Sequence, residues 1–225
     1  MLEITRPLVP ISPFAGLPKV RTPGGGVSVS TYDNLGIASV LAKKNKETEL
    51  AERVQQRYGI RLPQTPAYSD ARGIAFIATG PRCWLATAEA GGYAFSTSLR
   101  HAAGDLASIS DQSDGYVVLR LAGAKVRETL SKLVPIDVHP RAFPVGMAVV
   151  TVAAHIGVTM WRVADEVGAT SAFELALYRS MVGSFWHVLW ESAAEFGVEL
   201  TNMESTNMES THTTGWRSAA RRAST

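Results

Sequence analysis

The chain has 225 residues, 22 Lys and Arg against 20 Asp and Glu, and a single cysteine, Cys83; that length supports one large domain or two small ones sharing a core, with no need of disulfides or a structural metal. The formal charge of +2 gathers near Arg217, Arg221 and Arg222, and the near-neutral body argues against a nucleic-acid groove. A lone cysteine excludes an internal disulfide framework, and "MLEITRPLVPISPFAGLPKV" lacks the charged-then-apolar order of a secretory signal, so a reducing cytoplasm is expected.

Residues 1–26 carry Pro7, Pro10, Pro13, Pro18 and Pro23 and close on Gly24, Gly25 and Gly26. This spacing removes backbone donors and predicts an extended arm with a flexible hinge. Its Leu8, Val9, Ile11, Phe14 and Leu17 exceed what a solvated linker needs. Two readings stay open: an arm lying on a partner or on its own domain, and a loosely packed terminus.

The folded region is expected over residues 27–200. "VSVSTY" alternates as a strand does, and "GIASVLAKK" is a short apolar run bounded by charge. "KETELAERVQQRYG" puts Leu50, Val54 and Tyr58 on one helical stripe that Gly59 stops. "LPQTPAYSD" reads as a loop. "GIAFIATG" and "RCWLATAEA" read as a hairpin around Gly80, Pro81 and Arg82, and "YAFSTSLRHAAG" as a helix ending at Gly104.

"LASISDQ" and "GYVVLRLAG" predict a second pair of strands around Ser113, Asp114 and Gly115. "AKVRETLSKL" follows as a helix with Val126, Leu130 and Leu133 inward. "MAVVTVAAHIGVTMWRVAD" gives two strands turning at Ile156 and Gly157, "AFELAL" another, and "RSMVGSFWHVLWESAAEFG" a helix ended by Gly197. Strand and helix units repeating in this way predict an α+β fold. The most apolar run, Phe173 to Trp190, is broken by Glu174, Arg179 and His187 and is too short to span a membrane, so it reads as a buried or docked helix. In residues 201–225 the pentad Thr-Asn-Met-Glu-Ser is doubled and aliphatic residues are scarce, which predicts a disordered tail with Trp216 solvated.

Gly123, between a strand and a helix, raises the question of an anion site at free helix amides. "LAGAKVRET" nevertheless lacks both the G-x-x-x-x-G-K-[ST] cradle and a G-x-G-x-x-G turn, so the glycine reads as geometric. His101, His139, His155 (placed on a strand), His187 and His212 show no ligand spacing, and Cys83 beside Trp84 reads as a small buried hydrophobe with Arg82 its only nearby charge. "GSFW" is no nucleophile elbow, and Asp111 and Asp114 sit where a turn favours Asp. No catalytic, cofactor-binding or metal residue is assigned. The last helix carries Met181, Val182, Phe185, Trp186, Val188, Leu189, Trp190 and Phe196, more apolar circumference than one core-facing stripe requires. Trp161, Phe185, Trp186 and Trp190 are therefore the candidate interface residues, with ordinary core packing as the alternative.

Three strings, "RCWLATAE", "LASISDQSDGYVVLRLAGAKVRETLSKLVPIDVHPRAFPVG" and "LYRSMVGSFWHVLWESAAEFGVEL", together resemble the gamma subunit family of heterotetrameric sarcosine oxidase over roughly residues 70–200. That family is similar in fold to the folate-binding half of glycine-cleavage aminomethyltransferases, with ferredoxin-like units side by side. The resemblance implies a non-catalytic subunit that supports assembly with α, β and δ partners. The complex oxidises sarcosine to glycine, forming hydrogen peroxide and, with tetrahydrofolate, methylenetetrahydrofolate. FAD, FMN, NAD and tetrahydrofolate are implied in the partner subunits and none in this chain. Two rivals remain: the same role in a sister complex acting on another N-methyl amino acid such as N-methylglutamate, and a stand-alone folate-dependent one-carbon transfer protein.

Overall fold

A computed structural model describes residues 12–14, 25–32, 34–89, 91–166 and 170–201. The doubled pentad, Trp216, His212 and most of the Pro-rich arm lie outside these residues. Eleven strands and four α-helices alternate along the described chain: β1 Val27–Thr31, β2 Gly36–Ala42, α1 Glu47–Tyr58, β3 Tyr68–Ala71, β4 Ile74–Gly80, β5 Cys83–Ala88, α2 Gly92–Ala103, β6 Ala107–Asp111, β7 Tyr116–Ala122, α3 Val126–Leu133, β8 Ala148–Ala153, β9 Ile156–Glu166, β10 Thr170–Tyr178, α4 Val182–Ala193 and β11 Val198–Thr201. A single 3-10 turn, Arg179–Met181, leads into α4.

The strands form two sheets, one ordered β11-β1-β7-β10-β9-β8 and the other β3-β4-β5-β2-β6. Within the second, β2-α1-β4-β5-α2-β6 is a β-α-β-β-α-β unit with the spatial order β4-β5-β2-β6, a ferredoxin-like arrangement to which β3 is added at one edge. The first sheet repeats the plan with β7, α3, β9, β10, α4 and β11. Here β1 is inserted between β7 and β11, antiparallel to the former and parallel to the latter. The α+β class and the paired ferredoxin-like units agree with the expectation.

Side-chain alternation explains the layering. Ile37, Ala75, Ile77 and Leu85 of one sheet meet Val118, Ala122, Ala148, Trp161, Val163, Ala172 and Ala176 of the other in a shared core. The opposite face of the first sheet packs on α3 and α4 through Leu119, Leu121, Phe173, Leu175 and Leu177. Helices α1 and α2 cover the far face of the second through Leu50, Val54, Phe95 and Leu99. The result is four layers, helix, sheet, sheet, helix.

Helix boundaries follow from local chemistry. Glu47 and Glu49 lie in the first turn of α1 and Arg57 in its last, each favourably placed for the helix dipole. Gly59 ends the helix at φ 72 with its N–H on the Gln55 carbonyl, 2.9 Å away. In α3 the buried residues are Val126, Thr129, Leu130 and Leu133, one stripe at helical spacing.

Four expectations are corrected. Tyr68–Ala71, read as loop, is the edge strand β3, because β4 supplies a pairing partner that composition does not announce. Strands β6 and β7 are not a hairpin: among the described residues β6 pairs only with β2, and β7 pairs with β1 and β10 in the other sheet. The turn between them is held to the start of β2, where Gln112 N–H reaches the Ile37 carbonyl at 2.8 Å and the Ser113 hydroxyl accepts the Ile37 N–H at 3.1 Å. The chain then crosses between sheets. The run from Phe173 is not one helix, since β10 extends to Tyr178 before α4 begins. Finally, β8 and β9 turn at Ala154 and His155, which take φ of 49 and 71, so His155 is a turn residue and Ile156 opens β9.

Candidate interface and buried polar groups

Helix α4 buries Val182, Phe185, Trp186, Leu189 and Ala193, positions that recur at three- and four-residue intervals. Phe185 and Trp186 lie in the chain's own core beside Leu121, Leu130 and Phe173. Trp186 meets Phe14 edge to face at 5.5 Å and Trp190 at 6.3 Å. The described piece of the arm therefore packs on its own domain, with the Phe14 N–H donated to the Ser12 hydroxyl at 3.2 Å. This accounts for part of the surplus apolar circumference of the helix: beside the sheet face and α3, Phe14 covers Trp186.

Trp161 stands on β9 in the core between the sheets, fully buried, 6.4 Å from the Tyr68 ring. Its indole N–H has no hydrogen-bond partner among the described residues. Trp161, Phe185 and Trp186 are enclosed by their own chain, which favours the core-packing alternative for these three. Trp190 alone of the four keeps exposed surface.

The junction at Gly123 is resolved by what lies against it. Gly123 has φ 131, and a Cβ there would sit 2.3 Å from the Gly26 carbonyl oxygen. That same carbonyl accepts the Lys125 N–H at 2.9 Å. The backbone leading into β1 occupies the place an anion would take, so the glycine serves a close approach of two chain segments.

The inward face also holds a buried ion pair. Arg120 on β7 and Glu174 on β10 are cross-strand neighbours, 3.2 Å apart and 5% and 0% exposed. The Tyr32 hydroxyl donates to the same Glu174 oxygen, leaving the carboxylate well satisfied. On the helix side, Phe173 is held between the guanidinium groups of Arg127 and Arg162, 5.0 and 5.1 Å from its ring. Arg162 ties the β9 to β10 connection together, donating to the Ala172 carbonyl at 2.9 Å and to Asp165. Burial first, and then the neighbouring Arg162 charge, lowers the pKa of Arg127 from the ordinary arginine value.

The remaining sequence candidates are dispersed. His187 pairs with Glu191 at 3.4 Å on the exposed side of α4. Asp111 accepts from the Ser96 hydroxyl and the Ser113 N–H. Burial pushes its pKa upward, but these bonds and Arg100 outweigh it and hold the carboxyl below its usual range. Asp114 accepts from the exposed Tyr93 hydroxyl. Among the described residues no three His, Cys, Asp or Glu side chains come together as metal ligands, and no helix is long and apolar enough to cross a membrane.

At one end, strands of both sheets line a cleft of about 230 Å³ with Ser39, Thr79, Trp84, Leu85, Gln112, Tyr116, Val150 and Thr159. Tyr116 and Tyr178 stack beside it, their ring centres 4.7 Å apart. Burial, together with the bond to Tyr178, pushes the Tyr116 phenol up to about 12. Sequence reasoning passed over this end because its residues come from six strands, and no local motif joins them.

Comparison with known proteins follows the same architecture. The chain is 34% identical over 110 residues to the sarcosine oxidase subunit gamma of an Arthrobacter species, a match covering 48% of this chain and 54% of that one. It is 33% identical over 119 residues to the equivalent subunit of Corynebacterium sp. (strain P-1), covering 52% and 57%. The matches thus span about half the length of these relatives. A chain of the heterotetrameric sarcosine oxidase from Corynebacterium sp. U-96, solved with pyrrole 2-carboxylate, superposes with a TM-score of 0.69 at 25% identity, over 83% of this chain and 96% of that one. The glycine cleavage aminomethyltransferase T of Bartonella henselae shares the fold at a TM-score of 0.57 and 14% identity, over 78% of this chain and 48% of that one. The model of the sarcosine oxidase gamma subunit family matches residues 44–195, well over half of the sequence, and the chain belongs to that family.

Proposed function

We propose that this chain is the gamma subunit of a heterotetrameric sarcosine oxidase, a non-catalytic component that supports assembly with α, β and δ subunits in a reducing cytoplasm. The carrying observation is the superposition over 96% of a chain taken from such a heterotetramer. In this reading the partners hold FAD, FMN, NAD and tetrahydrofolate and convert sarcosine to glycine, with hydrogen peroxide and methylenetetrahydrofolate as further products. The chain's own buried polar side chains support a scaffolding role. Arg120, Glu174 and Arg162 are engaged with neighbouring strands and connections of the same chain.

The test is co-expression of all four subunits with and without this chain. Loss of the intact complex and of sarcosine turnover on omission is the expected result. Undiminished assembly and turnover without it would sink the proposal. Saturable folate binding by the isolated chain would instead favour a stand-alone one-carbon role.

A further inference from the structure

Each of the two sheets has two edge strands, and three of the four carry an acidic residue: Asp70 on β3, Asp111 on β6 and Glu199 on β11. Strand β8, Ala-Val-Val-Thr-Val-Ala, carries none, and no Asp, Glu, Lys or Arg occurs from Ala142 to Trp161. Charges on an edge are the usual guard against unwanted strand pairing. Their absence from β8 leaves an edge that a further chain can pair with.

The backbone says what kind of chain. Ala148 turns its N–H away from β9 and donates it to the Pro66 carbonyl at 2.8 Å. Because backbone direction alternates along a strand, the N–H and C=O groups of Val150 and Val152 face the same outer side. Just where β8 begins, Met147 bridges to Ala67, Ala148 donates to Pro66 and Gly146 accepts from Tyr68; among the described residues nothing pairs with the outer groups of Val150 and Val152. Their side chains are 54% and 44% exposed. They share a face with Tyr178, 53% exposed, and with Gly157, where a Cβ would meet nothing within 4 Å. The adjoining cleft is lined by hydroxyl, aliphatic and aromatic side chains and the Gln112 amide, with no charged residue among them.

We propose that β8 is a docking edge that accepts an extended, uncharged segment of another oxidase subunit as an added strand, its apolar side chains resting on Val150, Val152 and Tyr178. The occupant is uncharged because the edge offers no counterion, and a charged strand would lose its hydration without compensation. It is a different chain, not a second copy, because the proposal rests on the reading of this protein as one member of a mixed assembly.

The experiment uses the four co-expressed subunits and measures retention of this chain on tagged partners. Val152→Pro deletes one outward N–H while leaving the β8 to β9 ladder intact, since proline is tolerated where an edge N–H faces out. Val150→Lys places a charge on the edge, and Val152→Ala removes side chain alone. Retention is expected to weaken at least about tenfold for Val152→Pro and Val150→Lys, and less for Val152→Ala. Isolated Val150→Lys, at an exposed site, should melt close to the unaltered chain, which separates lost docking from lost folding. The Val150 and Val152 amides should exchange rapidly in the isolated chain and about a hundredfold more slowly in the complex. If the unaltered chain joins no complex, both this inference and the proposed function fall. If it joins, but the two variants join equally and the amides stay fast, only the docking edge falls. A homodimer of the isolated chain that Val152→Pro abolishes, with assembly unchanged, places a second copy on the edge and likewise overturns it.

Discussion

Gly123 shows how one residue type supports two opposite readings. A glycine between strand and helix suits an approaching phosphate as well as an approaching backbone, and the sequence favours the second only by lacking a cradle motif. The Gly26 carbonyl at 2.3 Å from the missing Cβ supplies the physical reason. Gly123→Ala should therefore cost stability twice, through the φ of 131 and through displacement of β1. A loss of about 2–4 kcal/mol in urea unfolding is expected, and a change under about 0.5 kcal/mol would mean that β1 yields freely. Glu174 poses a different question, since within "AFELAL" it marked only a break in an apolar run. Cross-strand from Arg120 at 3.2 Å and fully buried, it is the partner of an enclosed charge. Glu174→Ala should destabilise by about 3–5 kcal/mol, more than Glu174→Gln, which keeps an acceptor for Arg120 and Tyr32. Chemical denaturation of the two variants decides this.

Among the elements, the helices were largely legible. The stripes Leu50 and Val54, and Val126, Leu130 and Leu133, are buried as their spacing predicts. Strand pairing was less legible. "SDG" between two strand-like runs predicts a turn and finds one, but whether the strands stay in one sheet depends on Gln112 and Ser113 holding to Ile37, 75 and 76 positions away in the chain. Helix α4 was recognised as rich in aromatics without a way to tell its faces apart. Its two tryptophans should now separate by burial. Trp186→Ala is expected to cost about 3–5 kcal/mol, because the ring is enclosed by Phe14 and the sheet core. Trp190→Ala, half-buried, should cost clearly less. Thermal melts of both variants, compared with Phe14→Ala, check the order, and equal losses would contradict it.

At the scale of the molecule, two ferredoxin-like units share the core of Ile37, Ile77 and Leu85 with Val118, Trp161 and Ala176. A shared core makes separate unfolding of either sheet unfavourable, since each would expose the face it buries on the other. Tryptophan fluorescence and far-UV circular dichroism should report a single coincident urea transition. Ile77→Ala should shift that transition by about 2–5 kcal/mol without splitting it. Two separable transitions would show that the units fold independently.

Composition, periodicity and turn residues by themselves determined the α+β class, the four helices and most strands, because these properties are written in neighbouring residues; the family resemblance came instead from three longer strings and agrees with the family match over residues 44–195. Only the tertiary structure decided which strands share a sheet, that Trp161, Phe185 and Trp186 are core, that Phe14 caps Trp186, and that β8 is an edge without charge. Each of these depends on contacts between residues far apart in the chain, where local spacing carries no information about the partner.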